Sequence, residues 1–297
     1  MIRSIADFAR AYEEGRYHCQ RFIKTGAGQA SDSRWQDWAF QAGQPAYDAR
    51  IGQALAFTPS VAQGNDAIYF PPIPDGMQRK LFKITMRPQA SNSLQASIDF
   101  TLYDLVGYYP LIDGDSTDPQ EFDNTLTLPR YTDGNGLRLV LVNHVAPAVQ
   151  GGVMNLEYVD QTGATRTITL GVPNNGINGP CCAANSSTVG NSSPLVLPLH
   201  EGVTGVRQVN RIVYTTPPGG LHCIYVIKPL AQFTHYHDAL LQADTTGVKA
   251  ALEIDFATKD GWRMPDIPNG AHLSFFYRTV GGGRTAVFFG DFEFIWG

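Results

Sequence analysis

Apolar residues near the N-terminus recur at the spacing of a helix. They lie three and four positions apart and therefore share one helix face: Ile5, Phe8 and Tyr12. Ser4 precedes them and Asp7 follows it three positions later, which is typical of a capped helix start. Gly26 ends the segment. The pattern predicts an amphipathic helix over about residues 4–24, either continuous or broken at Gly15, within an N-terminal unit of residues 1–28. Its apolar face must bury against the body of the chain or another subunit.

The next segment, residues 29–76, has no regular hydrophobic period. Aromatic residues are scattered among small and polar ones, and the segment ends in a proline-rich stretch. A connection of this length without its own structure is uncommon inside a compact domain, so the sequence predicts an extended arm lying across its own body or a neighbour. The aromatic residues of the arm and the apolar face of the helix form the predicted protein interface: Ile5, Phe8, Tyr12, Trp35, Trp38, Phe40 and Tyr47.

Period-two alternation and turn residues dominate the rest of the chain, residues 77–297. The clearest hairpin pairs residues 154–159 with residues 165–170 across the turn Asp160–Gly163. Residues 206–215 and 221–227 are predicted as a second such pair across a connection of Pro and Gly. Further strands are predicted at 81–86, 94–103, 137–142, 251–257, 272–279 and 285–295. About ten strands without intervening helices predict a mostly β fold, an antiparallel sandwich of the jelly-roll type.

The C-terminal segment, residues 287–296, is the most strongly strand-forming part of the chain. It is rich in Phe and carries only two acidic residues. A free edge of this composition is an aggregation hazard. The segment is therefore predicted to lie inside a sheet or beneath a neighbouring subunit.

Composition and charge narrow the class of protein. Charged residues make up 16% of the chain, hydrophobic residues 43%, and the formal net charge is −5. A sequence-independent nucleic-acid binder needs clustered Lys and Arg, so no nucleic-acid partner is predicted. The sequence lacks an apolar run of roughly 18 residues and the apolar core of a signal peptide, so no membrane partner is predicted either.

The four cysteines favour free thiols in a reducing compartment. Cys19, Cys181, Cys182 and Cys223 form no CxxC pair. The adjacent pair Cys181 and Cys182 suits neither an unstrained disulfide nor the common metal geometries.

Two histidines form the best candidate for a metal site. His235 and His237 lie two positions apart, which places them on one face of a strand, as imidazole pairs are placed in cupin-type barrels. Further ligands would have to come from His200 or His222. No glutamate or third histidine stands at a diagnostic spacing. The pair is interpreted as part of a polar sheet face, and no metal or other cofactor is predicted.

Acidic residues cluster between Asp113 and Asp123. Oxygen-rich loops bind calcium, but this one lacks the residue order of an EF-hand, so it is interpreted as a solvated turn whose Asp side chains cap local amides. Nucleophile-elbow, zinc-protease and P-loop motifs are absent from the sequence. The protein is therefore predicted not to be an enzyme, and no catalytic residue is assigned.

Several short segments resemble virion structural proteins of tailed bacteriophages. The resemblance spans roughly residues 35–170 and is most specific at residues 128–136. The segments are Trp35-Gln36-Asp37, Gly43-Gln44-Pro45, Leu102-Tyr103-Asp104, Tyr108-Tyr109-Pro110, Asp113 to Asp118, Asp123-Asn124-Thr125 and Leu128 to Gly134. The resemblance implies an assembling protein of the virion, made in the host cytoplasm, and it carries no catalytic residues.

Within that class, the helix and arm favour a capsid decoration (cement) protein that clamps neighbouring capsid subunits. The implied partners are the major capsid protein and further copies of the chain, in a homotrimer. The alternatives are a tail or baseplate component, a glycan-binding adhesin of the virion and, from a different class, a cupin-like metal enzyme using His235 and His237. Deleting residues 1–28 is expected to leave a folded β body that no longer joins particles.

Overall fold

The fold is taken from a computed structural model of the chain. The structure describes residues 2–25, 35–38, 42–44, 60–61, 68, 70–90, 97–124, 127–145, 152–172, 181–183, 196–236, 252–255, 264–280 and 286–297. Within these ranges it contains one helix, α1 (Ile5–Glu13), and no helix long and apolar enough to cross a bilayer. The strands are β1 (Tyr17–Thr25), β2 (Trp35–Asp37), β3 (Ala42–Gln44), β4 (Ser60–Val61), β5 (Arg79–Ala90), β6 (Ser97–Asp113), β7 (Gln120–Glu121), β8 (Arg138–Val145), β9 (Gly152–Asp160), β10 (Thr165–Val172), β11 (Cys181–Ala183), β12 (Val206–Thr216), β13 (Leu221–Tyr236), β14 (Leu252–Asp255), β15 (Leu273–Val280) and β16 (Ala286–Trp296).

The N-terminal helix is shorter than the sequence predicted. It ends at Glu13, and Gly15, in the left-handed region at φ 71°, turns the chain into β1. In β1 the side chains alternate, with Phe22 and Lys24 buried and Arg21 and Ile23 exposed. The helix expected up to residue 24 was therefore wrong beyond Glu13. Buried and exposed side chains alternate with a period of two along residues 17–25, and pairing with β16 fixes this segment as a strand.

The five-stranded sheet has the order β14-β5-β16-β1-β3, and all of its pairings are antiparallel. The C-terminal strand β16 lies between β5 and β1, which confirms that it is an internal strand. At Gly290 the neighbouring backbone comes so close that an added Cβ would lie 1.9 Å from the carbonyl oxygen of Thr85. Glycine at this position is therefore required by the close approach of β5.

The four-stranded sheet, β10-β9-β12-β7, contains the predicted hairpin. β9 and β10 pair in register from Val159 and Thr165 outwards. The Asp160 carboxylate accepts hydrogen bonds from the Thr162 hydroxyl and from the turn amides of Thr162 and Ala164, and it pairs with Arg166. These bonds, that of the Thr162 hydroxyl above all, hold the pKa of Asp160 well below its usual range. The strand prediction and the turn prediction are both confirmed here.

The second predicted hairpin is wrong. β12 pairs with β9 and β7, whereas β13 pairs with β6 and β8 in the seven-stranded sheet, β13-β8-β11-β2-β15-β6-β4. The connection between β12 and β13 contains Gly219 and Gly220, both at positive φ, and exchanges backbone hydrogen bonds with Gly114. It is an arch between two sheets, although its Pro and Gly residues are those of a hairpin turn.

Three apolar clusters involve the seven-stranded sheet. One fills the space to the five-stranded sheet, a second fills the space to the four-stranded sheet, and the third lies among side chains of the seven-stranded sheet itself. The long strand β6 contributes to all three, through Phe100 and Leu102 to the first, Val106 and Ile112 to the second, and Tyr103 to the third. The described part of the chain is thus a mostly β, antiparallel protein with sandwich packing, as predicted.

The described residues of the predicted arm pair with the body of the same chain. β2 pairs with β15 and β11, β3 with β1, and β4 with β6. Buried polar side chains fix β2, because Tyr103 Oη donates to Asp37 Oδ1 at 2.8 Å and Tyr277 Oη donates to Gln36 Oε1 at 2.7 Å. In its described residues the arm is therefore part of the sheets.

Candidate functional site

The start of α1 is fixed by its own polar residues. The Ser4 hydroxyl accepts from the Asp7 amide at 3.1 Å, and the Asp7 carboxylate accepts from the Arg3 amide at 3.0 Å. The hydrogen bonds from the Arg3 amide and from Ser4 lower the pKa of the Asp7 carboxyl, which keeps a negative charge near the positive end of the helix. The predicted capped start is therefore confirmed.

One side of α1 packs on the five-stranded sheet. Ala11 is fully buried, and the ring of Phe8 meets that of Phe82 edge-on at 5.1 Å. Tyr17 of β1 continues the cluster, with its ring 5.9 Å from Phe82. These contacts bury only part of the apolar surface of the helix.

The rest of that surface faces outwards. Ile5 is 71% exposed and Tyr12 is 56% exposed, although the Tyr12 ring touches Tyr17 at 5.2 Å. These two residues, Ile5 and Tyr12, are called the outer helix surface below. Both side chains are accessible to a partner.

The other predicted interface residues divide into three groups. Trp38 is 3% exposed and stacks on Phe275 at 4.7 Å, so it belongs to the core of its own chain. Trp35 is half-buried beneath the guanidinium of Arg278, whose carbon lies 5.1 Å from the ring centre. Phe40 and Tyr47 lie outside the described residues. The sequence did not distinguish aromatic residues that bind a neighbour from those that bind the body.

The predicted histidine pair is only partly described. The backbone of His235 lies in β13 opposite Ile98, and His237 lies outside the described residues. Of the two further candidates, His200 is exposed and His222 is buried. Within the described ranges no three His, Cys, Asp or Glu side chains are grouped to hold a metal ion. The interpretation of His235 and His237 as part of a polar sheet face, without a metal, stays a prediction.

The acidic loop has the local hydrogen bonds expected of a turn. The Asp113 carboxylate accepts from the Asp115 amide at 2.9 Å, and the Ser116 hydroxyl accepts from the Asp118 amide at 3.1 Å. Gln120 closes the loop by exchanging hydrogen bonds of 2.8 Å with the backbone of Asp113. These bonds confirm that the Asp and Ser side chains cap local amides.

The adjacent cysteines are described only by their backbone. Cys181 and Cys182 form most of β11, between β8 and β2. Among the described side chains, Cys19 is exposed and Cys223 is buried.

A buried ion pair is the main polar feature that sequence reasoning missed. Arg130 donates from Nε and Nη2 to the two carboxylate oxygens of Asp104, at 2.6 Å each, and the Leu105 carbonyl oxygen also accepts from Nη2. Asp104 is fully buried and further accepts from the His272 amide at 2.7 Å. Burial raises the pKa of Asp104, and the Arg130 guanidinium opposes that rise. The only sequence signal is that both residues lie in segments that carry the phage resemblance.

A second buried polar centre surrounds His222. Its ring is fully buried, with Nε2 2.9 Å from the Gly219 carbonyl oxygen and Nδ1 2.8 Å from Asn143 Oδ1. A neutral ring that donates from Nε2 to Gly219 accepts at Nδ1, and the Asn143 amide supplies that donor when its oxygen and nitrogen are exchanged, which also gives the buried Nδ2 a partner. Burial lowers the pKa of His222 to about 4, so the ring is neutral at pH 7.

Acid is expected to destabilise the protein through His222. The folded-state pKa of about 4 lies below the ordinary value of 6.5, so the unfolded chain binds a proton first as the pH falls. The neutral His222 ring contributes fully to the free energy of unfolding above pH 6.5, and this contribution falls by up to about 3 kcal/mol as the pH approaches 4. Urea unfolding of wild type and His222→Gln between pH 7 and 4.5 measures it. The variant should have the shallower acid slope, exposed His200→Gln should keep the wild-type slope, and equal slopes for all three would contradict the prediction.

Comparison with known proteins gives no family. No family model and no curated protein matches the chain. Among solved structures, particles derived from infectious bursal disease virus with T=1 symmetry match at 10% identity and a TM-score of 0.19, over 94% of this chain and 78% of that chain. The VP2 subviral particle of the same virus matches at 11% identity and a TM-score of 0.18, over 94% of this chain and 80% of that one. TM-scores of this size do not establish a shared fold.

Proposed function

We propose that the protein is a non-enzymatic structural component of a virus particle, and specifically a capsid decoration protein. The observation that carries the proposal is the outer helix surface, where Ile5 and Tyr12 stay exposed on a helix already docked to its body. Burying two such side chains against a neighbour contributes roughly 1.5–3 kcal/mol each. The partners proposed are the major capsid protein and further copies of this chain in a trimer.

The buried polar groups support a structural role. Asp104, Asp37 and His222 are all fully buried and engaged in hydrogen bonds within the chain. A catalytic group must reach a substrate, and these side chains do not reach the surface. Their arrangement suits the fixing of strands and sheet edges.

A second candidate is a subunit of the shell itself. It is favoured by the two apolar cores that lie side by side against one seven-stranded sheet. The tail component and the adhesin have no comparable support among the described residues.

Immunogold electron microscopy of purified virus particles, with antibody raised to this chain, tests the proposed location. Label over the head supports a capsid role, whereas label confined to the tail, or no label, contradicts it. An assembly assay with the purified protein then distinguishes a decoration protein from a shell subunit. A shell subunit assembles into particles alone, whereas a decoration protein binds only to shells that are already formed.

Polar substitution of the outer helix surface is expected to weaken incorporation into particles at least tenfold. Ile5→Ser with Tyr12→Ser removes the exposed apolar area, and tenfold corresponds to about 1.4 kcal/mol. The matched control is Ala6→Ser with Glu13→Ser, which changes two exposed residues of the same helix, also seven positions apart, to the same side chain about 100° away around the helix. Co-sedimentation with shells measures binding, and urea unfolding verifies the fold. Equal incorporation of both double variants would remove the basis of the proposal.

A further inference from the structure

Strand β10 is a long edge strand. It ends the four-stranded sheet, where β9 is the one strand of the described chain that pairs with it. With eight residues, Thr165–Val172, it is longer than the edge strands of the five-stranded sheet, β14 with four and β3 with three. The outer edge of such a strand carries a row of N–H and C=O groups that can pair with a strand of another chain.

The edge of β10 lacks the features by which proteins usually prevent such pairing. Its register with β9 is continuous over all eight residues, so no β-bulge bends the strand away. The strand contains neither Pro nor Lys, and its one charged side chain, Arg166, is bound to Asp160. Three threonines on it are exposed, Thr165, Thr167 and Thr169. The edge therefore suits the addition of a further strand.

The hydrogen bonds around β10 identify the backbone groups that point outwards. Across the turn, the Asp160 amide donates to the Ala164 carbonyl oxygen, so the even-numbered residues of β10 bond to β9. The odd-numbered residues point their N–H and C=O groups away from the sheet. In agreement, Nε2 of exposed His200 donates to the Thr167 carbonyl oxygen at 3.0 Å. The imidazole holds this carbonyl where a strand partner would otherwise hold it.

We propose that the edge of β10 pairs antiparallel with β10 of a second copy of this chain, about a two-fold axis at Ile168. In this register Thr167 of one copy lies opposite Thr169 of the other, and the two residues exchange backbone hydrogen bonds. Thr–Thr pairs in such positions are favourable. The Thr167 carbonyl oxygen then accepts from the amide of the second copy in place of His200, and the two four-stranded sheets form one continuous sheet.

The apolar and charged residues of β10 favour this register. Ile168 packs against the core between the four-stranded and seven-stranded sheets, so an Ile168 pair at the axis extends that core. Arg166 lies opposite Leu170 of the other copy, which keeps the two arginines about 13 Å apart, beyond the Debye length of about 8 Å. An axis at Thr167 would bring them to about 7 Å on the same face. The contact depends neither on the proposed trimer nor on a role in a virus particle.

Analytical ultracentrifugation of the full chain over a range of concentrations tests the contact. The wild type is expected to form a dimer. Thr167→Pro removes an outward N–H and no bond to β9, a position at which an edge strand tolerates proline, and it should weaken the dimer about tenfold or more. The matched control Thr167→Val keeps the N–H and the branched side chain and should dimerise as the wild type does. A monomeric wild type, or oligomers that Thr167→Pro leaves unchanged, overturn the proposal.

A second variant keeps the test decisive if Thr167→Pro does not fold. His200→Ala removes the imidazole that competes for the Thr167 carbonyl oxygen and leaves β10 itself unaltered. Its dimer should be about threefold tighter or more, because pairing then breaks no hydrogen bond within the chain. Damage to the fold cannot produce a tighter, discrete dimer. Unchanged or weaker dimerisation of His200→Ala would contradict the proposed pairing.

Discussion

Replacing Arg130 with methionine is expected to destabilise the fold by about 3–5 kcal/mol. Arg130 supplies both hydrogen bonds that neutralise the Asp104 carboxylate, and it also binds the Leu105 carbonyl oxygen. Asp104 is fully buried, so the substitution leaves a charge in the interior without a counter-ion. The free energy of unfolding in urea at pH 7 measures the loss.

The pH dependence of this loss separates the buried charge from simple loss of packing. Without Arg130 the pKa of Asp104 rises further, and the folded protein then binds a proton that the unfolded chain does not hold. A carboxyl with a raised folded-state pKa stabilises the fold at low pH and loses that contribution as the pH rises. The deficit of Arg130→Met should therefore be smaller at pH 4.5 than at pH 7.

Two controls accompany this variant. Arg21→Met removes the partner of Asp291 at the surface, where an ion pair contributes less than about 1 kcal/mol. Asp104→Leu combined with Arg130→Met removes both charges and should recover much of the stability lost by Arg130→Met alone. If Arg130→Met costs no more than Arg21→Met, the ion pair does not have the role assigned to it.

Strands with strict alternation could be predicted from the sequence because their period is local. The β9–β10 hairpin has alternate buried residues and a turn whose Asp160 side chain caps its own amides. The burial of β16 followed from its composition, and of the two predicted ways to bury it the structure shows the internal position in the sheet. Each of these predictions rests on residues within one short segment.

Elements that depend on distant partners could not be predicted in the same way. Residues 17–25 have apolar positions that also fit a helix, and the strand is decided by β16 at the other end of the chain. The connection between β12 and β13 has the residues of a hairpin, yet the two strands pair in different sheets. In both places tertiary pairing overrides a local signal.

The same reason limits what could be said of the sites. The capped start of α1 is local and was predicted, whereas Asp104 of β6 and Arg130, which lies between β7 and β8, meet only in the folded chain. The position of β10 at the edge of its sheet is likewise visible only in the structure. Residues 1–28 include β1, so deleting them would remove an internal strand of the five-stranded sheet. Assembly is therefore tested with the substitutions in the outer helix surface and not with that deletion.

The other large effect is expected at Phe275, where Phe275→Ala should destabilise the fold by about 3–5 kcal/mol. Phe275 is fully buried in β15 and stacks on Trp38 at 4.7 Å and on Phe292 at 5.3 Å. It therefore joins the arm, the five-stranded sheet and the seven-stranded sheet at one point. Urea unfolding measures the loss, with half-exposed Val145→Ala as a control that should cost less than about 0.5 kcal/mol.

The spectroscopic response of Phe275→Ala distinguishes an arm bound to its own body from one that binds a neighbour. Trp38 lies between Phe275 and Phe22 in the core, with its ring 4.8 Å from that of Phe22. If the arm belongs to the body, the cavity left by Phe275→Ala should change the fluorescence of Trp38 in the folded, isolated protein, and Trp38→Phe should abolish that change. An unchanged spectrum would mean that Trp38 is not held against Phe275 before assembly, and the arm would again be available to clamp a neighbouring subunit.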